Sequence, residues 1–510
     1  MHLSRRSFLK TSLASGAVLG GGDVSLLRQI SPVTAVEAAV SPGLVRFLPE
    51  IEPIVRLLEK TPRERLLEDI AERIRKGLTY REVLTALLLA GVRNVQPRPY
   101  VGFKFHAVLV VNAAHLASLS SPDEHRWLPI FWALDYFKSA QAQDVREGDW
   151  IMAAVEEKRV PPPDKARTGF ITAMDNWDEP AADVAAASLA RGAGANAVFE
   201  LLFRYGARDF RSIGHKAIYV ANSWRTLSVI GWQHAEPVVR SLAYALLTHQ
   251  EPGNPAKLDA AADRPWRENI ERVARVRRGW QRGTPSLDAT AAVVEAARAG
   301  SSTDVGKLVV ELLNKGASPA SLWDGILKAS SDLVLRKPGI LSLHAATTAN
   351  ALHFSYRQSG VDETRLLLLL QGASFLPLFR EGAISRGGKL SDVTLDTIEP
   401  LAPEGQGQAA VEEIFADVST DRLTAARKTL GYLKGGGAAK DLIDAARLLV
   451  FLKGEDAHDY KFSSACLEDY YSLSMSVRDR YLAGAAFLLR GSGERDNRLV
   501  ERVRAAFGKS

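Results

Sequence analysis

The chain has 510 residues, more than one ordinary compact domain of ~100–200 residues holds, so it carries several units or one array of repeats. Hydrophobic residues make up 46% and charged residues 24%, which excludes a disordered, collagen-like or multi-span membrane chain. A single cysteine, Cys466, excludes an internal disulfide framework, a thiolate zinc finger and a cysteine-held iron–sulfur cluster. The formal charge of +6 comes without a dense basic stripe, so no nucleic-acid partner is expected.

In chain order, the first informative run is SRRSFLK, from Ser4 to Lys10. It resembles a twin-arginine export signal, with Arg5 and Arg6 as the pair and Phe8 and Leu9 opening the apolar stretch. That stretch is short and rich in Gly and Ala, which suits a cleavable leader and falls short of the ~20 residues of a stable membrane span. Residues 1–38 are therefore expected to be removed, with cleavage after Ala38 or Ala39. The resemblance implies passage of an already folded chain through the twin-arginine machinery to the periplasm, a route often taken by proteins loaded with a cofactor beforehand. No other apolar run reaches spanning length without charge, so no membrane span is expected in the mature protein.

Beyond the leader, stretches such as LTALLLAGV and AARLLVFL place apolar residues three and four apart and predict an all-α fold. One block recurs four times: KGLTYREVLTALLLAG from Lys76, RGAGANAVFELLFRYG from Arg191, KGASPASLWDGILKAS from Lys315 and GGAAKDLIDAARLLVF from Gly436. Each opens on a glycine that suits a left-handed helix end and runs into a new helix. Each is followed by a second segment with a histidine: His106 in FHAVLVVNAAH, His215 in GHKAIYVANSW, His344 in LHAATTANALH and His458 in AHDYKFSSACL. Intervals of 109, 129 and 114 residues between these histidines are too wide for the common helical repeats. They predict four related modules of three or four helices in two lobes, forming an α/α superhelix or bundle. The first lobe covers 39–250 and the second 284–510, with a Pro- and Arg-rich hinge at 251–283.

If related modules pack around a common centre, equivalent residues face that centre. His106, His215, His344 and His458 are therefore the candidate ligands of a metal, Fe, Cu or Zn, which imidazole binds without any cysteine. At ~100° per helical residue, Asn222 shares a face with His215 and is a candidate contact for the ligand sphere or a substrate. Asn112 and Asn350, six residues from their histidines, are rotated away and are expected to tie helices together, and His115 and His353 point elsewhere. Trp224 and Trp232 are candidates for an apolar pocket beside His215. His458, Asp459, Lys461, Glu468 and Asp469 form a mix capable of acid–base work, with a solvated helix start as the plainer reading. Core histidines satisfied by backbone carbonyls are the alternative to a metal cluster.

The second and third blocks resemble the questin oxidase-like family, in which a His-containing helix followed by an Ala-rich helix is paired with a later His-x-x-Thr helix. The matching stretches are GHKAIYVANSW leading into VVRSLAYALL, and LHAATTANAL with His344 and Thr347. The resemblance implies an all-α oxidoreductase that inserts oxygen into an aromatic or polyketide-like ketone, with His215 and His344 as candidate catalytic residues and Thr347 beside them. Two functional readings stand: an exported oxygenase-like oxidoreductase acting on a small molecule at a His-lined site, or a non-catalytic helical-repeat scaffold or binding protein of the periplasm.

Overall fold

The computed structural model describes residues 43–508, so the expected export signal at 1–38 lies outside it. Helices account for 71% of the structure, in 23 α-helices with no strand among the described residues, as the apolar spacing predicts. The helices recur as four five-helix units. The first holds α1 (Glu52–Lys60), α2 (Arg63–Arg75), α3 (Tyr80–Asn94), the broken pair α4 (His106–Leu109) and α5 (Val111–Ser120), and α6 (Leu128–Glu147). The second holds α7 (Pro163–Asp175), α8 (Glu179–Gly192), α9 (Ala195–Gly206), α10 (His215–Ile230) and α11 (Ala235–Leu246). After α12 (Arg264–Val273), the third runs α13 (Leu287–Ala299), α14 (Ser302–Asn314), α15 (Pro319–Arg336), α16 (Ile340–Gln358) and α17 (Asp362–Ser385). The fourth runs α18 (Gln408–Val418), α19 (Arg422–Lys434), α20 (Ala439–Lys453), α21 (Ala457–Asp469) and α22 (Met475–Ala485), and α23 (Leu499–Ala506) closes the chain. Each unit thus has five helices rather than three or four, because the pair that precedes each block keeps its shape without keeping its sequence.

Local chemistry explains how each unit turns into its block. Gly77 (φ +107°) ends α2 in the left-handed region, which lets the Leu78 amide bond to the Arg73 carbonyl and the Gly77 amide to the Ile74 carbonyl. Gly316 and Gly436 close α14 and α19 in the same manner. The second block differs: Gly192 stays helical and the chain leaves α8 through extended Ala193. Thr79 then starts α3 with a capping box to Glu82.

The segment at 251–283 is more than a connector. Its helix α12 buries Trp266, and the Asn269 side-chain amide donates to Gln371 Oε1 (2.7 Å) and Ser374 Oγ (3.2 Å) on α17. Helix α17 is long enough to cross a membrane and holds an 18-residue stretch with a mean hydropathy of 1.2, yet 72% of that stretch is buried inside the protein as a core helix. At the centre, α5 packs on α10, α10 on α16, α16 on α21 and α21 back on α5. Two helices of this ring come from each half of the chain, and all four begin at the same end.

Candidate metal centre

Each histidine sits at or near the start of its helix, His106 on the short α4 that leads into the ring helix α5. His106 opens α4 directly after the tight turn Phe103–Phe105, and His215 opens α10 after the turn Arg211–Gly214. His344 is the fifth residue of α16 and His458 the second of α21. Helical side chains tilt toward the N-terminus, so all four rings project off the helix ends to one point. One nitrogen from each histidine lies within 4.8 Å of those of the other three, an arrangement that can hold a metal ion. The rings form a square in chain order: neighbouring centroids lie 4.8 Å (His106–His215), 4.3 Å (His215–His344), 5.1 Å (His344–His458) and 4.5 Å (His458–His106) apart. The diagonal His106–His344 is 6.4 Å.

Hydrogen bonds on the outer nitrogens fix the chemistry of the inner ones. Nδ1 of His106 lies 2.8 Å from the Phe103 carbonyl, Nδ1 of His215 2.6 Å from Ser212 O, Nδ1 of His344 2.6 Å from Ile340 O and Nδ1 of His458 2.8 Å from Asp456 Oδ1. Each of those oxygens is an acceptor, so each Nδ1 carries the hydrogen and a neutral ring presents a bare lone pair at Nε2. Burial, reinforced by Lys461 and the neighbouring rings, holds His106, His215 and His344 well below the usual imidazole range and keeps them neutral. Nε2 of His215 nevertheless faces Nε2 of His106 at 2.9 Å and Nε2 of His344 at 2.8 Å, and the buried Nε2 of His458 has no hydrogen-bond partner.

Behind the ring, the axis between the four helices is a small polar cavity of about 20 Å³, room for one water-sized molecule. Asn112, Asn222, Asn350 and Ser464 line it. These are the equivalent positions of the four blocks, so a ring of polar side chains follows the ring of histidines. Lys461 lines the cavity on the histidine side, 3% exposed, with Nζ 3.4 Å from His215 Nε2. Burial pushes its amine down to about 7, against the opposing charge of Asp456. Arg225 and Glu468, paired at 2.6 Å, close the far end.

The sequence-derived candidates divide accordingly. The four histidines come together, and Asn222 and Thr347 line the cavity. Trp224 and Trp232 do not serve as the expected pocket: they pack against Phe199 at 4.8 and 6.2 Å, because Trp224 sits nine residues from His215 on the opposite side of α10 and Trp232 lies beyond its end. His115 meets the Tyr80 hydroxyl at 3.0 Å and His353 packs on Trp323, both away from the ring. Asn350 does tie helices, donating to Asp469 (2.8 Å) and Glu468 (3.0 Å) on α21, but it also faces the cavity, as does Asn112. Both asparagines reach the cavity at the same six-residue spacing, Asn112 across the junction of α4 and α5 and Asn350 on the unbroken α16, so the rotation away from the histidine is a rotation toward the axis between the helices. Asp456 was not singled out by sequence reasoning; the signal for it is the Asp-x-His spacing at a helix start, where the same carboxylate caps α21 and holds His458.

No protein-family model, curated protein or solved structure gives a significant match to the chain.

Proposed function

We propose that the four imidazoles hold one redox-active ion, iron or copper, and that the protein is an exported oxidoreductase acting on a small molecule. The observation that carries this reading is the convergence of four imidazole nitrogens within 4.8 Å of one another, with His215 Nε2 against both His106 Nε2 and His344 Nε2. Two bare Nε2 atoms at 2.8–2.9 Å repel each other unless a cation lies between them, and the protonation fixed at Nδ1 leaves no neutral-ring hydrogen bond to replace it. Nitrogens at right angles on an ion ~2.0–2.1 Å away stand ~2.9 Å apart, whereas tetrahedral ligands stand ~3.3 Å apart. The two separations at 2.8–2.9 Å fit the right-angled spacing better, and nitrogen ligation of that kind would suit copper or iron better than zinc.

The ion would supply one-electron redox chemistry at this position. The chain's own part is to orient the imidazoles through their Nδ1 bonds, to shield three of the four rings from water, and to leave the His458 side, 21% exposed, as the open rim. On the His106 side Phe103, whose carbonyl holds that ring, exposes 63% of its surface with Tyr100 packed against it at 5.5 Å. Such a rim suits a small aromatic substrate. The resemblance of the His215 and His344 stretches to the questin oxidase-like family and of the N-terminus to an export signal both support this reading.

The test is the identity and redox behaviour of the ion in protein purified from its native host. Iron or copper that is reduced and reoxidised reversibly, with a tetragonal four-nitrogen spectrum for the copper form, is the expected result. Zinc alone, taken from a medium that also contains iron and copper, overturns the redox assignment.

A further inference from the structure

The cavity behind the histidine ring has a charge problem that appears once the ring holds an ion. Lys461 Nζ is 3% exposed and has one hydrogen-bond partner, the lone pair of His215 Nε2 at 3.4 Å. A metal on the ring takes that lone pair, and the buried amine is left facing the cavity with nothing to donate to. The four ligands are neutral rings, so none offsets the ion's charge. Asp456 touches His458 on the outer side, and the one carboxylate lining the cavity, Glu468, is already engaged by Arg225 (2.6 Å) and Asn350 (3.0 Å). A buried divalent charge and an unpartnered buried donor on the same cavity are both costly unless something negative and hydrogen-bond-accepting sits between them.

Resting on the metal reading above, we propose that the cavity between Lys461 and the ring of Asn112, Asn222, Asn350 and Ser464 binds a water-sized anion such as hydroxide or fluoride. That anion lies at the histidine side of the cavity and accepts a hydrogen bond from Lys461. The volume of about 20 Å³ sets the size limit and excludes an organic substrate from this side. Asn222 is held in place by donating to the Leu109 carbonyl at 3.0 Å and the Asn350 amide is committed to Asp469 and Glu468, so Lys461 is the donor the anion meets. The two faces of the ring then have separate duties: the aromatic rim takes the organic molecule and the axial cavity takes the anion.

Fluoride is the probe, titrated into the copper- or cobalt-loaded protein and followed by the absorption of the ion. Saturable binding at one fluoride per ion is expected. Lys461→Met is expected to weaken fluoride by about tenfold, the loss of one buried hydrogen bond, at unchanged metal stoichiometry. Ser464→Leu, which fills the cavity and leaves Lys461 in place, serves as the second variant and is expected to abolish fluoride binding while the ion stays bound. Equal fluoride affinity in wild type and in both variants, or no fluoride binding to a fully loaded protein, overturns this proposal. Failure of the wild type to take up any ion overturns the metal reading itself.

Discussion

At the scale of single residues, the oxygen atoms behind the histidines matter as much as the histidines. Asp456 does two jobs, capping α21 and accepting from His458 Nδ1. Asp421 caps α19 in the same way without touching the ring, and so separates the two duties. Alanine at either position is expected to cost about 1 kcal/mol of stability through the lost cap. Asp456→Ala alone is expected to weaken metal affinity, by roughly 10–100-fold, in competition with a chelator; equal affinity in the two variants would show that the carboxylate does not support His458. A second residue-scale prediction concerns Asp469, which accepts from Asn350 and the Tyr481 hydroxyl (3.0 Å) and whose carboxyl is pushed up to about 7 by burial and by neighbouring Glu468. With its folded value above its unfolded one, the folded state holds the extra proton between about pH 4 and 7, so stability falls as pH rises through that window. Asp469→Asn is expected to flatten that slope in denaturant unfolding measured from pH 4 to 8. An unchanged slope would assign the pH dependence to other groups.

At the scale of elements, the turns that lead into α4 and α10 hold His106 and His215 through their carbonyls. Gly214 sits at φ +80° immediately before His215, and a Cβ there would clash with Thr348 Oγ1 on α16. Gly214→Ala is therefore expected to push α10 off α16, with a loss on the order of 1–3 kcal/mol from the left-handed backbone alone and weaker metal binding measured on the folded fraction. Native stability together with native metal affinity would contradict this account of how α10 is placed. The glycines ahead of the blocks were readable as helix ends because the left-handed region penalises other residues, and Gly77, Gly316 and Gly436 adopt it. Gly192 does not, since the extended backbone at Ala193 ends α8 without a left-handed residue. That Asn112 and Asn350 face the cavity was not readable, because the axis they face exists only once the four helices are assembled. Trp224 and Trp232 were misplaced for a simpler reason: nearness in sequence to His215 stood in for helical phase, and nine residues along α10 is the far side.

At the scale of the whole molecule, the four units close a ring in which neither half of the chain owns the site: His106 and His215 come from the first half, His344 and His458 from the second. That convergence was legible in the sequence because duplicated units keep equivalent residues on equivalent faces. The fifth helix of each unit was not, since the two helices before each block serve only as apolar cover and many sequences meet that demand. An ion shared between halves links metal binding to global stability. At free metal a thousandfold above its dissociation constant the gain is about 4 kcal/mol, so the metal-free protein is expected to melt several degrees lower than the loaded form. A melting temperature unmoved by chelation and reloading would mean that the ion, if held, does not depend on the folded ring. The most direct test of the central claim is elemental analysis of the mature protein beside His215→Ala and His344→Ala, both checked for native helix content. The four-histidine centre predicts one iron or copper ion per chain in the wild type and none in either variant. A wild type that is folded and metal-free, or variants that keep the full complement of metal, would contradict it.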